Sequence, residues 1–269
     1  MGRCLNNIKL NDILELFKSH PMPKYFLQAA LTIIGIMHAL AAAGGICIPV
    51  EFLRKYEASD FVARVTITSL SSNVGDAFHY QSGIAIRELY KGRRVQEIFI
   101  EGSSDGKIRT TSDLFFPKNT EILVYARLTE DGQYIFDSCS GYLVLGNTLS
   151  HTARRELDML EVLKRESASR PTPGLYQADL QDQLKALRGV QLSKSFAIFE
   201  ITFSDSLQVA TVRTVSGFTQ AVDERLKAII SHANWTGRDR HSGGKKQFIA
   251  FYYYEAEKGQ PSFIGTLDV

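Results

Sequence analysis

The sequence predicts two domains of different class, an all-β barrel of five short strands followed by an α+β domain. Residues 52–144 carry short runs of alternating apolar and polar residues, rich in β-branched side chains and separated by turn residues. A helical apolar period follows at 148–166, and the segment Ser167-Ala-Ser-Arg-Pro-Thr-Pro173 after it is typical of a linker. Beyond this linker, strand and helix patterns follow in the order ββαβ, which indicates a helix covering a small antiparallel sheet.

The barrel strands are separated by turn signals such as Glu130-Asp-Gly132. Five short strands spaced in this way favour a small closed or partly open barrel. The strands are predicted at 61–70, 77–89, 95–100, 122–127 and 133–136.

The second domain opens with a predicted short helix that ends at Gly189. Its hairpin turn is predicted at Ser204-Asp-Ser206. The elements are the helix at 176–187, strands at 196–203 and 207–215, an amphipathic helix at 219–232 and a strand at 247–254. The predicted boundaries are 46–147 for the barrel, 148–173 for the connector helix and linker, and 174–269 for the α+β domain.

The balance of charge excludes some classes of partner. The chain has 269 residues with 31 Lys plus Arg and 29 Asp plus Glu, a formal net charge of +2. This balance gives no reason to expect binding to nucleic acid. The histidines are scattered without metal-ligand spacing, and we predict no metal and no cofactor.

The N-terminal region has the pattern of a signal peptide. Lys24 supplies a positive charge, residues 25–40 are mostly apolar, and residues 41–45 read Ala-Ala-Ala-Gly-Gly. Small residues after an apolar run are what a signal peptidase requires. We therefore predict a signal peptide at 22–45 and a location in the periplasm or cell envelope.

Two details of this segment stay open from the sequence. Cleavage after Ala43 and cleavage after Gly45 fit equally well. The segment is also nearly long enough to remain as an uncleaved anchor, the one case in which we expect membrane contact. Residues 1–21 are interpreted as a mis-called extension upstream of a true start at Met22.

Whether the cysteines can form a disulfide depends on export of the chain. The chain has three, which is too few for a disulfide-dense scaffold, and Cys4 is lost with the signal peptide. Cys47 and Cys139 remain and can either form a bridge or stay as two free buried thiols. A bridge closing a loop of about ninety residues would stabilise the fold by about 4–5 kcal/mol in the chain-entropy model.

The segment from Cys47 to about Asn147 resembles the tissue-inhibitor-of-metalloproteinases-like domain of exported bacterial proteins. The matching stretches are Cys47-Ile-Pro49, Tyr56-Glu-Ala-Ser-Asp60, Glu88-Leu-Tyr-Lys-Gly92, Leu123-Val-Tyr-Ala126 and Cys139-Ser-Gly-Tyr142. The resemblance implies an OB-like barrel and a bridge between Cys47 and Cys139. It also keeps a metalloprotease inhibitor as an alternative function. True inhibitors chelate zinc through an N-terminal cysteine, and Cys47 is first only if cleavage follows Ile46.

The segment from about Lys194 to Glu255 resembles the C-terminal domain of TonB-like proteins. The matching features are Phe199-Glu-Ile-Thr-Phe203, the hairpin after it, Val209 to Val215, Asp223 to Ile230, and Asn234-Trp-Thr-Gly237. The chain has Trp-Thr where that family has Trp-Pro. The resemblance implies that a sheet edge, here Phe248 to Tyr254, pairs with a β-strand of an envelope partner.

This strand supplies the predicted partner-binding residues. Aromatic side chains lie on both of its faces. One face must pack in the core, and the other is a candidate partner surface. Trp235 is either a plug at the end of the helix or a binding hot spot. The predicted partner-binding residues are Phe248, Ala250, Tyr252, Tyr254 and Trp235.

The sequence predicts no enzyme, although one alternative remains. Gly102-Ser-Ser104-Asp-Gly106 has the spacing of a hydrolase nucleophile elbow, which requires a strand before Ser104 and a helix after it. The residues that follow show no helical period. We therefore predict a loop, and a non-catalytic protein that acts through protein–protein interaction.

Overall fold

The computed structural model describes residues 51–73, 78–108, 110–166, 176–204, 208–237 and 246–267. Four helices and twelve strands lie in these ranges. The helices are α1 Phe52–Ala58, α2 His151–Arg165, α3 Gln181–Leu184 and α4 Gln220–His232. The strands are β1 Phe61–Leu70, β2 His79–Lys91, β3 Glu97–Glu101, β4 Glu121–Leu128, β5 Tyr134–Phe136, β6 Tyr142–Val144, β7 Tyr176–Gln177, β8 Phe196–Phe203, β9 Val209–Ser216, β10 Thr236–Gly237, β11 Lys246–Tyr254 and β12 Phe263–Gly265.

The first five strands close into a barrel. Their order around it is β1-β2-β3-β5-β4, and β4 returns to β1 through an antiparallel register from Phe61↔Ala126 to Thr66↔Glu121. Strands β3 and β5 run parallel, while the other neighbours are antiparallel. Closure leaves no free edge in the ring, and the inward side chains fill its core. The predicted five-stranded barrel is thus confirmed, and β6 is an addition that pairs with β4.

The C-terminal part contains a four-stranded antiparallel sheet in the order β12-β11-β8-β9. Alternate side chains of β8 and β11, such as Phe199 and Phe251, pack against the apolar stripe of α4. Thr219 caps α4, because its hydroxyl accepts a hydrogen bond from the N–H of Val222. The predicted hairpin, helix and third strand are present, so the order ββαβ holds with one further strand.

Besides β6, other described elements differ from the sequence-based prediction. The sequence pattern places residues 52–58 in the β region, but they form helix α1, whose Phe52, Leu53 and Tyr56 are buried. Residues 176–177 were predicted as helix but pair with Thr236–Gly237 as strand, so the helix begins at Gln181. Strand β12 was missed, since three residues carry too short a pattern to detect.

The barrel and the second sheet share one hydrophobic core, and Cys47–Val269 forms a single compact unit. Helices α1 and α2 lie within this shared core. Its side chains come from the barrel, both helices and the sheet, and include Phe52, Leu53, Val62, Leu123, Tyr125, Met159, Leu160, Ile198, Phe248, Ala250 and Tyr252. The second face of the sheet is therefore covered by the chain itself.

Polar contacts tie α2 to its neighbours on both sides. Lys164 pairs with Glu88 of the barrel. At the end of the helix, Glu166 accepts a 2.7 Å hydrogen bond from Arg213 of β9, and Arg213 also binds Glu200 of β8 at 3.2 Å. Helix α2 thus connects barrel and sheet by side-chain contacts as well as by sequence.

Several predicted features lie outside the described residues. They are the extension at 1–21, the signal peptide at 22–45, Cys47 and the linker at 167–173. Cys139 lies just after β5 and is disulfide-bonded. Its pairing with Cys47 stays a prediction.

Candidate functional site beside strand β11

A cleft of about 570 Å³ runs beside β11. Its walls come from α1, from β7 and the residues after it, and from the end of α4 at Trp235. Four of the five predicted partner-binding residues line it, namely Trp235, Phe248, Ala250 and Tyr252. The fold therefore gathers residues that are separated in sequence around one strand.

The main chain of β11 presents an edge to this cleft. The N–H of Tyr253 donates to the carbonyl oxygen of Ser195 at 2.9 Å. The main-chain N–H and C=O groups of the odd-numbered residues of β11 therefore point toward β8. The main-chain groups of Phe248 and Ala250 must point the other way. On that side β12 pairs only with Tyr252–Tyr254, and no other described strand pairs with the first half of β11.

The side chains of this strand are buried by the chain itself. Phe248, Ala250 and Tyr252 lie in the shared core at 8%, 5% and 3% exposure. Tyr254 stacks on Phe263 with ring centroids 4.7 Å apart, and its hydroxyl donates to the carbonyl of Leu267. The face that the sequence left open as a partner surface is thus packed against α1, α2 and the barrel. On the side away from β8, no described strand pairs with the main chain of Phe248 and Ala250.

Trp235 closes the end of α4. Its indole N–H donates to the carbonyl oxygen of Ile230 at 2.9 Å, and its ring packs edge-on against Phe203. This contact satisfies one of the helix's terminal carbonyls and matches the plug interpretation. The half-buried ring also lines the cleft, so Trp235 forms part of both the helix end and the cleft wall.

A side-chain amide fixes the opposite wall. Gln247 donates from Nε2 to the carbonyl of Tyr176 at 3.0 Å and accepts from the Tyr176 N–H at 3.3 Å. The Gln247 side chain thus makes two hydrogen bonds to the main chain of β7 and holds it beside β11, as main-chain hydrogen bonds hold two paired strands. Sequence reasoning missed both residues, because nothing local marks a two-residue strand.

Among the residues that line the cleft, Glu57 has a pKa that differs clearly from its ordinary value. Burial raises its pKa from 4.5 to about 7, while Lys91, the main-chain N–H of Phe248 and Arg54 oppose this shift. Its Oε1 is buried and has no hydrogen-bond partner in the described part of the chain. Sequence reasoning missed Glu57 as a site residue, although a helical reading of 52–58 would have placed it on the same face as Leu53.

Ser104 lies in a turn after β3, and its hydroxyl is 3.4 Å from Oδ1 of Asn73. The residues that the structure describes after this turn, 106–108 and 110–120, form no helix of the kind that a nucleophile elbow needs. Within the described ranges, no three His, Cys, Asp or Glu side chains group as metal ligands. No helix in the described part of the chain is long and apolar enough to cross a membrane.

No protein-family model matches this chain, and no curated protein matches it.

Proposed function

We propose that this chain is an exported, non-catalytic protein of the cell envelope that binds another envelope protein by β-strand pairing along β11. In this proposal the first half is an OB-like barrel closed by a Cys47–Cys139 bridge, and the second half is TonB-C-like. The single observation that carries the proposed binding mode is the main-chain edge at Phe248 and Ala250, which lies beside a cleft and with which no described strand pairs on that side. An added strand would pair with the main-chain groups of Ala250 and would take over the Phe248 N–H, which now donates to the Glu57 carboxylate.

The surrounding structure supports this edge as a binding site. The strand is held rigidly, because its other edge pairs with β8 over seven register positions, from Lys246↔Thr202 to Tyr252↔Phe196. Both of its faces are packed, so binding requires little rearrangement of the sheet. The cleft walls provide side chains that can select among incoming strands.

A proline substitution tests this mode. Ala250→Pro removes an N–H that points into the cleft and leaves the hydrogen bonds to β8 in place, which is the position where a sheet tolerates proline. The matched control is Val212→Pro in β9, the opposite edge of the same sheet. By the same alternation, the Val212 N–H points away from β8.

The assay is photo-crosslinking in envelope fractions from a probe amino acid at Gln177, on the cleft wall. We expect a specific crosslinked product from the parent chain and from Val212→Pro. Ala250→Pro should lose it while keeping the parent circular dichroism spectrum. If a folded Ala250→Pro protein crosslinks as the parent does, strand pairing at β11 is wrong.

A further inference from the structure

Among the described residues that line the cleft beside β11, acidic side chains outnumber basic ones. Its described charged lining residues are the carboxylates Glu51, Glu57 and Asp179 and the guanidinium of Arg54. Arg54 pairs with Glu51 at 3.6 Å. Asp179 accepts a hydrogen bond from the N–H of Gln181 at the start of α3. Glu57 differs from both, because its Oε1 is buried and has no donor among the described residues.

The described cations near Glu57 do not form an ion pair with it. Lys91 donates to the main-chain carbonyls of Tyr56 and Glu57 at 2.8 and 3.0 Å, at the C-terminal end of α1. Within the described residues, no Lys or Arg nitrogen lies within 4.0 Å of the Glu57 carboxylate, and its Oε1 has no donor. A half-buried carboxylate in this state gains free energy from any cation that reaches it.

Pairing of a partner strand with β11 would leave the Glu57 carboxylate with even less stabilisation. The N–H of Phe248 currently stabilises the Glu57 carboxylate, and it belongs to the edge that an added strand would use. A partner carbonyl that takes this N–H removes stabilisation from Glu57. Binding then leaves the carboxylate poorly compensated unless the partner brings its own donor.

From this exchange we infer that the strand which pairs with β11 carries a lysine or arginine side chain that binds Glu57. The inference rests on the proposed function and names the chemistry of its partner. The partner carbonyl accepts from Phe248, and the partner cation takes the place that this N–H gives up. A neutral or acidic side chain at that position would leave Glu57 uncompensated and bind more weakly.

The test is selection of short random peptides from a display library by the purified chain. Five proteins are compared: the parent, Glu57→Gln, Glu57→Lys, Ala250→Pro, and Glu97→Gln as a control for an exposed glutamate on the barrel. We expect the parent and Glu97→Gln to enrich peptides with Lys or Arg at one position. Replacing that residue by Gln should weaken binding to the parent about tenfold or more, as for loss of a charge-assisted hydrogen bond.

The Glu57 variants separate this inference from a general preference for basic peptides. Glu57→Gln should lose the enrichment at that position, and Glu57→Lys should replace it with Asp or Glu. Parent peptides without basic enrichment, or enrichment unchanged in Glu57→Gln, would overturn the inference and leave strand pairing intact. If the parent selects no peptide, or if folded Ala250→Pro selects the same peptides, strand pairing itself is overturned.

Discussion

The hydroxyl of Tyr125 in β4 donates a 2.5 Å hydrogen bond to Oε1 of Glu156 in α2. Lys55 of α1 donates to the same oxygen at 2.7 Å, and its Nζ lies 4.2 Å from the centre of the Tyr125 ring. Three elements thus meet at one buried carboxylate. Burial, followed by the charge of Glu156 and the hydrogen bond to it, raises the pKa of Tyr125 well above its ordinary value, so Tyr125 remains a donor.

Tyr125→Phe should lower the free energy of unfolding by about 1.5–3 kcal/mol, the usual range for a hydrogen bond to a charged group. Urea denaturation followed by circular dichroism measures this change. Tyr142→Phe is the matched control, because Tyr142 is 37% exposed on β6 and should change stability little. A loss for Tyr125→Phe no larger than that of the control would show that the contact contributes nothing to stability.

The shared core implies that barrel and sheet unfold together. Phe248 of β11 packs in the same cluster as Leu123 of the barrel and Leu160 of α2, so neither half keeps its buried surface when the other unfolds. The chain has one tryptophan, Trp235, which reports on the second half alone. We expect denaturation curves from its fluorescence and from far-UV circular dichroism to coincide. Two separated transitions would mean that the halves are independent domains.

The pKa of Glu57 predicts a specific dependence of stability on pH. The folded value of about 7 lies above the ordinary 4.5, so the native state binds more protons than the unfolded state between these values. The free energy of unfolding should therefore fall as pH rises from 4.5 to 7. Each pH unit over which only the folded chain keeps Glu57 protonated contributes about 1.4 kcal/mol, so the total is at most about 3 kcal/mol.

Glu57→Gln removes this titration. The stability of the parent relative to this variant should decline between pH 4.5 and pH 8, as measured by urea denaturation at both values. Glu97→Gln, at an exposed position on the barrel, should follow the parent. Equal pH dependence in the parent and in Glu57→Gln would show that Glu57 ionises near its ordinary pKa in the folded chain.

The regular strands and helices could be predicted because their patterns are local. Alternation of apolar and polar residues predicts β1, and the apolar stripe that begins after Thr219 predicts α4. Tyr176 was assigned wrongly because its strand depends on Gln247, which is distant in sequence. Local propensity cannot detect such a contact.

The candidate site was predictable only in part. Aromatic residues on both faces of 247–254 indicated a strand buried on two sides, but the sequence does not show that the second cover is the barrel of the same chain. Glu57 carried no signal as long as its segment was read as β. Its importance comes from burial beside Phe248, which only the assembled fold provides.

The exchange rate of the Ala250 amide hydrogen tests the open edge most directly. The Ala250 N–H points into the cleft without a described strand to accept it, whereas those of Ile249 and Phe251 point toward β8. Native-state hydrogen exchange measured by NMR reads each amide separately. We expect the Ala250 amide to exchange much faster than its two neighbours in the free chain. Protection of Ala250 equal to that of Phe251 would show that the edge is already covered and would contradict strand pairing at β11.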